Sequence, residues 1–248
     1  MNLILLQQGD AIGDDHFKIS DTRATHIRQI LKSQSGDIIK VGLINGPQGQ
    51  AVIEKITTDE ILLHCQWSKE PTHPEIIIDL ICALPRPQTL KKVLQSCAAM
   101  DIRRIHLIRA NRTEKTYFDA TIMTKENYMP FLLEGLSQGK KTHLPKVFVH
   151  NRFKPFFEDT LPALEKSEPQ KCIKLLPDLD SPKFLTDLNI ANTKRILLAI
   201  GPEGGWVPIE IDLMQSMGFE MFNLGNWVLR VENALVAAIS QIALTCRQ

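Results

Sequence analysis

The apolar residues in the last quarter of the chain form short continuous runs that end in glycine. Residues 196–200 are all apolar and lead into Gly201-Pro202-Glu203-Gly204-Gly205, and residues 221–224 end at Gly225. Such runs are typical of parallel strands buried on both faces. Because open parallel sheets bind ligands at the carboxyl ends of their strands, we expect the two glycine turns to lie side by side there and form a ligand site.

Earlier apolar runs alternate with segments of helical spacing. Thr89 is expected to cap one helix, and Gly139 to end another. The predicted strands cover residues 76–84, 105–108, 146–149 and 172–176, and the predicted helices cover 89–98, 125–138 and 232–244. This alternation predicts an α/β fold with a mostly parallel sheet and helices on both faces.

The first 68 residues follow a different pattern, with short strands between turn-forming residues. Residues 22–33 have helical spacing, and Asp21 is the expected N-cap. The predicted strands cover residues 3–6, 37–44, 50–56 and 61–67. Two prolines within residues 69–74 indicate an extended linker. We therefore expect a small β-rich domain over residues 1–70 and an α/β domain over residues 75–248.

The predicted last helix, residues 232–244, is apolar nearly all round. Such a helix must be buried on more than one side. It is either a core helix or part of a homodimer interface. We favour the interface, because no later segment is predicted to cover the helix.

Composition limits the class of protein. The chain has 248 residues, of which 44% are hydrophobic and 23% charged, as in ordinary globular proteins. No apolar run is long enough to span a membrane, and residues 1–10 lack the basic start of a signal peptide. The five cysteines are scattered without a C-x-x-C pair, so we expect neither disulfides nor a metal site, and a reducing cytoplasm.

The charge is unevenly distributed. The net charge of the whole chain is +1, but residues 86–154 carry a net +9, and the segments on either side carry −4 each. A basic middle segment indicates a positive face that attracts phosphates. The alternative is a set of ordinary solvated lysines and arginines.

Several motifs occur in a fixed order near the C-terminus. The order is GPEGG at residues 201–205, Glu210, Leu224-Gly225, and then Val228-Leu229-Arg230-x-Glu232-x-Ala234. This order closely resembles the RsmE family, which are knotted SPOUT-class methyltransferases that modify a uridine of 16S ribosomal RNA. A shorter match in register lies at His26-Ile27-x-x-Ile30-Leu31-Lys32.

The resemblance implies a fold, a reaction and partners. The fold would be a C-terminal trefoil-knotted domain with an N-terminal PUA-like β-barrel that helps hold RNA. The reaction would be S-adenosylmethionine-dependent methylation of uridine N3. The partners would be 16S ribosomal RNA or the small ribosomal subunit, and a second copy of the chain joined through the knotted domain and last helix.

The resemblance and the glycine turns together suggest three groups of site residues. Candidates for binding the cofactor are Leu175, Leu176, Pro177, Ile200, Gly201, Gly205, Leu224, Gly225, Val228, Leu229 and Ala234. Candidates for binding RNA are Arg23, Arg28, Lys32, Arg86, Arg109, Arg112 and Lys115. Arg230 is the first catalytic candidate, since a cation near the uracil oxygens favours the deprotonated ring. Glu203 and Glu232 could orient Arg230 or help remove the proton, although Glu232 could instead stabilise the first turn of the last helix.

Some positions depart from the family pattern. Val231 and Asn233 stand where threonines are usual, and residues 85–88 and 109–115 also differ. Two alternatives therefore stay open. One is a SPOUT enzyme that methylates a ribose hydroxyl or another base. The other is a non-catalytic RNA-binding or ribosome-assembly factor.

Overall fold

The computed structural model describes residues 2–68, 76–168 and 170–246. The chain divides into two compact units. The first comprises Met1–His73 and Leu133–Leu144, and the second comprises Pro74–Leu132 and Pro145–Gln248. The predicted linker at residues 69–74 lies outside the described residues.

The first unit contains a six-stranded sheet in the order β1-β4-β5-β6-β3-β2. Its strands are β1 (Ile4–Leu6), β2 (Ala11–Gly13), β3 (His16–Ile19), β4 (Ile38–Leu43), β5 (Gln48–Ile56) and β6 (Ile61–Trp67). Strands β1 and β4 pair in parallel, and the other pairs are antiparallel. The four predicted strands are confirmed. Sequence reasoning missed β2 and β3, because Asp14 and Asp15 interrupt the segment and leave no run of alternating residues.

A hydrophobic core fills one face of this sheet. Along β6, buried residues alternate with more accessible ones, and Ile53, Ile61 and Leu63 are fully buried in the cluster. Helix α1 (Thr22–Thr25) adds Ala24 to the same core, and a wider π-type turn (His26–Leu31) continues it. Asp21 caps α1 as predicted, accepting a hydrogen bond from the Arg23 amide at 2.9 Å.

The second unit contains a six-stranded sheet in the order β12-β10-β11-β7-β8-β9. Its strands are β7 (Ile77–Ala83), β8 (Arg104–Ile108), β9 (Lys146–His150), β10 (Ile173–Pro177), β11 (Arg195–Ile200) and β12 (Phe219–Phe222). Every pair of these strands is parallel. All six predicted strands are confirmed, and the sheet is parallel throughout rather than mostly parallel.

Helices connect these strands. They are α2 (Pro87–Ala99), α3 (Lys125–Gly139), α4 (Phe153–Pro155), α5 (Leu161–Lys166), α6 (Pro208–Ser216) and α7 (Val231–Thr245). The prediction that Thr89 caps α2 was wrong: the helix begins at Pro87 with Arg86 as its N-cap. Proline suits a first helical position because its φ is preset and its missing N–H is not needed there. The described residues contain no helix long and apolar enough to cross a membrane.

Aromatic residues close one face of the parallel sheet. Phe156 and Phe157, between α4 and α5, pack with Leu197 and Ala199 of β11 and with Trp206. Since side chains alternate along a strand, the neighbouring residues of β11 face the other side of the sheet. Helix α7 contacts β11 and packs against α2. The loops that follow β10, β11 and β12 form the candidate site.

Candidate active site

A cavity of about 410 Å³ lies at the carboxyl ends of β10, β11 and β12. Its walls come from the loops that follow these three strands, with Arg112 from the loop after β8. The two glycine turns both border this cavity. Their strands are not neighbours, however, because β10 pairs with both β11 and β12 and separates them. The loop after β10 therefore becomes a third wall.

The glycines let the backbone come close to the cavity. A Cβ on Gly201 would lie only 3.1 Å from Trp206 Nε1. Gly225 has a φ of +131° and packs directly under the Trp227 ring, where a side chain would overlap the indole. That φ lies in the region that disfavours residues with a Cβ. A side chain at either position would force the neighbouring tryptophan ring, which lines the cavity, to shift.

Asn223 ties two walls of the cavity together. Its Nδ2 donates to the Leu179 carbonyl at 2.8 Å, and its Oδ1 accepts from the Gly225 amide at 2.8 Å. The Gln241 side chain in α7 donates to the Leu224 carbonyl at 3.1 Å. These bonds order the turn after β12 against the loop after β10. Sequence reasoning gave Asn223 no role, because the bonds join segments far apart in the chain.

Glu210 anchors the other glycine turn. It is buried, and its carboxylate accepts from the Asn111 amide at 2.6 Å and the Val207 amide at 3.1 Å. The Arg112 guanidinium donates to the Gly204 carbonyl. The loop after β8 and the GPEGG turn are therefore held together by one carboxylate and one guanidinium.

The candidate cofactor residues fall into two sets. Those that line the cavity are Pro177, Ile200, Gly201, Gly205, Leu224, Val228, Leu229 and Ala234. Leu175 and Leu176 lie fully buried within β10 and line no part of it, because they precede the strand end. Gly225 shapes the turn after β12 but does not line the cavity. Sequence reasoning missed Asp178, Leu179, Asp180, Trp206 and Trp227, all of which line the cavity. Trp206 and Trp227 follow the two glycine turns in the sequence, and this position is the signal that could have identified them.

The three catalytic candidates occupy different positions. Arg230 is exposed at the N-cap position of α7, next to Leu229 of the cavity wall. Glu203 lines the cavity and accepts from the Arg86 amide at 3.1 Å. Glu232 is buried and bonds Lys92 of α2 at 3.1 Å.

The environment of Glu232 keeps it ionised. Burial alone would raise the pKa of its carboxyl, but its backbone amide, the Lys92 ammonium and the charge of Arg230 together bring that pKa below its usual value. A carboxylate with a lowered pKa is a weaker base. This arrangement suits Glu232 for orienting its cationic neighbours better than for accepting a proton.

The candidate RNA-binding cations differ in availability. The guanidinium of Arg23 is paired with Asp10 at 2.6 Å and Asp21 at 2.7 Å and also donates to the Leu5 carbonyl. Its hydrogen bonds to the two aspartates raise its pKa despite partial burial. The expectation that Arg23 offers a cation to RNA therefore does not suit this geometry. Arg28 donates to the Thr57 carbonyl at 2.9 Å.

The remaining candidates are more accessible. Lys32 is exposed in the first unit, and Arg86 and Lys115 are exposed in the second. A hydrogen bond with the Tyr117 hydroxyl is the main cause that raises the pKa of Arg86. Arg109 lines a second cavity, of about 750 Å³, together with Arg152 and Lys154.

Comparison with known proteins gives one consistent result. A family model for the RNA methyltransferase domain matches residues 72–243. Ribosomal RNA small subunit methyltransferase E of Treponema pallidum is 31% identical over 98% of this chain and 90% of the relative. Ribosomal RNA small subunit methyltransferase E 1 of Borreliella burgdorferi is 24% identical over 96% and 95%. The structure of ribosomal RNA small subunit methyltransferase E from Neisseria gonorrhoeae, bound to S-adenosyl methionine, has the same fold, with a TM-score of 0.79, 18% identity, and coverage of 98% and 97%.

Proposed function

Because this chain belongs to the RsmE family of RNA methyltransferases, we propose that it methylates N3 of a uridine in 16S ribosomal RNA. S-adenosylmethionine is the methyl donor. The observation that carries the proposal is the cavity at the ends of β10, β11 and β12, where the family's glycine turns meet. The small ribosomal subunit is the proposed partner, which places the reaction in the cytoplasm.

The residues of the cavity fit S-adenosylmethionine. Its volume, about 410 Å³, lies in the range of small-molecule sites. Trp206 Nε1 is buried without a hydrogen-bond partner among the described residues, so a ligand acceptor would satisfy it. Asp178, Asp180 and Glu203 in the wall suit the two positive groups of the cofactor and would repel a polyphosphate. Ile200, Leu224 and Val228 would hold the adenine faces.

The cofactor supplies a methyl group made electrophilic by its sulfonium. The protein must then place uridine N3 in line with that methyl and favour loss of the N3 proton. The bound cofactor would supply the methyl group to the N3 lone pair, and its sulfur would keep the electron pair of the C–S bond that breaks. The target base must be unpaired or flipped to reach the site.

Arg230 is the proposed electrostatic catalyst. Its guanidinium would stabilise the negative charge that develops on the uracil oxygens as the proton leaves. Glu232, held by Lys92, would orient Arg230. Glu203 is the better candidate for taking up the proton, because it lines the cavity and Glu232 does not.

The finer fold assignments are also proposals. We assign the first unit to a PUA-like RNA-binding barrel, which its six-stranded sheet and single hydrophobic core support. The first boundary between the domains is proposed within residues 70–75, and residues 133–144 belong again to the first unit. We assign a trefoil knot to the C-terminal part of the second unit. The position of β10 between two strands that follow it in the chain, and the Asn223 bonds across the adjacent loops, support that assignment.

A homodimer through α7 completes the proposal. Six residues of α7 are buried within the chain, but Val236 and Leu244 are 39% and 66% exposed. Apolar residues that stay exposed on a helix suit an interface with a second copy. Light scattering of the purified chain tests this directly, since a monomer at micromolar concentration would contradict it.

The deciding experiment is methyl transfer to small ribosomal subunits from a strain that lacks the enzyme, followed by mass spectrometry of the RNA. We expect Arg230→Ala to lower kcat by about 100-fold to 1,000-fold with little change in S-adenosylmethionine affinity. Lys171→Ala is the matched control, since Lys171 is exposed and lines neither cavity. Full activity of Arg230→Ala would remove its catalytic assignment. Methylation of a ribose or another base would favour the alternative SPOUT reaction.

A further inference from the structure

Neighbouring strands of the first unit carry metal-ligating side chains on their accessible face. His16 in β3 lies directly opposite His64 in β6. The ladder between β5 and β6 shifts register between Ile53 and Lys55, so Glu54 is the extra residue of a β-bulge. Bulges re-aim side chains. The ligand atoms of His16, Glu54 and His64 all lie within 4.8 Å of one another.

A hydrogen bond to the backbone determines which nitrogen of His16 is available. His16 Nδ1 lies 2.7 Å from the Asp14 carbonyl oxygen. A carbonyl can only accept, so Nδ1 carries the proton, and in the neutral ring Nε2 keeps its lone pair. That Nε2 lies 3.5 Å from Glu54 Oε1. Two acceptors face one another there, and a cation between them would satisfy both.

The second histidine lies against the first. The His16 and His64 rings are stacked, with centroids 4.5 Å apart and planes within 4°. An ion held by both rings would also compensate the charge of Glu54. Because a ligated ion lies in the plane of each imidazole, one of the two stacked rings must turn about its side-chain torsions to bind it. Metal-bound histidines commonly donate their other ring N–H to a backbone carbonyl, as His16 does.

We propose that His16, Glu54 and His64 form a binding site for a divalent transition-metal ion, with zinc as the main occupant. Two imidazole nitrogens and one carboxylate oxygen suit this ion and leave a fourth position for water. The bound ion would join β3, β5 and β6 and stabilise the first unit in proportion to the logarithm of its concentration. The sequence expectation of no metal site depended on the missing C-x-x-C pair. These ligands come from three strands and form no linear motif.

Zinc titration of the untagged, metal-free full chain tests the proposal. Isothermal titration calorimetry should give a stoichiometry of one zinc ion per chain. Co²⁺ should give the visible absorption of a four-coordinate site. We expect His16→Ala and Glu54→Gln each to weaken zinc binding by at least about 10-fold to 100-fold. His143→Ala is the matched control, because His143 is not part of the cluster, and its zinc affinity should equal that of the unsubstituted chain.

Two results would overturn the proposal. One is the absence of zinc binding by the unsubstituted chain, and the other is a zinc affinity in both variants equal to that of the unsubstituted chain. Circular dichroism of the metal-free proteins checks that each variant is folded, and His64→Gln replaces any variant that is not. Nitrogen chemical shifts of the imidazoles distinguish metal ligation from the remaining possibility, a doubly protonated His16 paired with Glu54. Methyl transfer is not part of this test, so its outcome does not depend on the proposed function.

Discussion

The two sheets place polar chemistry in opposite positions. In the parallel sheet, β11 is buried along its whole length and β7 along nearly all of it, so functional groups occur in the loops at the strand ends. In the sheet of the first unit, buried and more accessible residues alternate along β3 and β6. His16 and His64 can therefore lie within strands. Burial on both faces confines functional side chains to the ends of the strands, whereas burial on one face leaves the other face available for them.

Alanine substitutions at consecutive positions test this difference most strongly. Leu197→Ala and Leu198→Ala in β11 should each lower the free energy of unfolding by about 2–5 kcal/mol, because both side chains are buried, on opposite faces. In β6, Leu63→Ala should cost as much, but Leu62→Ala, at a partly exposed position, should cost about 1 kcal/mol. Urea unfolding followed by circular dichroism measures these values. Equal losses at both β6 positions would contradict one-sided burial there.

A buried histidine makes the parallel sheet sensitive to acid. Burial, and next the neighbouring His150, lower the pKa of His106 in β8 from 6.5 to about 4. The unfolded chain therefore binds more protons between these pH values. Stability from this residue is complete above about pH 6.5 and is lost as pH falls toward 4, by up to about 3 kcal/mol.

His106→Gln should remove this part of the pH dependence. Urea unfolding at several pH values between 7 and 4 measures the slope, which is independent of any uniform loss of stability in the variant. An unchanged slope in His106→Gln would assign the acid sensitivity to other groups. A smaller slope in His106→Gln would show that a polar group buried inside a parallel strand has an energetic cost.

Gly225→Ala should weaken binding of S-adenosylmethionine by about 10-fold, because the φ of +131° disfavours alanine and its Cβ would force Trp227, which lines the cavity, to move. Calorimetric titration gives the affinity. Gly13→Ala, in β2 of the other sheet, is the matched control, since no atom lies within 4 Å of the added Cβ. Equal affinity in both variants would show that the turn after β12 tolerates a side chain.

Lys92→Met should have the smallest effect. Loss of the ammonium should raise the pKa of Glu232 toward its usual value, since Lys92 is one of the groups that lower it. A lowered carboxyl pKa contributes stability above its unfolded value and loses it as pH falls through the folded value. Because Lys92 is 59% exposed, the loss near pH 7 should stay below about 1 kcal/mol. A carbon NMR titration of the Glu232 carboxyl checks this, and an unchanged pKa would contradict it.

The strands that could be predicted are those with strong apolar patterns. All six parallel strands were found. For β7 and β11 the reason is that burial on both faces requires continuous hydrophobic residues, whereas β9 was found although most of its residues are accessible. The segment from Phe153 to Lys166 was missed as a helix, since Pro155 and Pro162 interrupt its pattern. The glycine turns indicated the correct edge of the sheet, but the pattern along each strand could not show that β10 separates β11 from β12.

The sequence by itself determined the six parallel strands, four strands of the first unit, most of the helices and the two glycine turns, because these depend on residue periodicity and local backbone preferences. Only the tertiary structure decided that Asp178 and Trp206 border the cavity, that Arg23 forms ion pairs with aspartates, and that Glu54 lies close to two histidines. Each of these facts depends on side chains from separate segments converging in space. No local pattern encodes which partner a polar group will find.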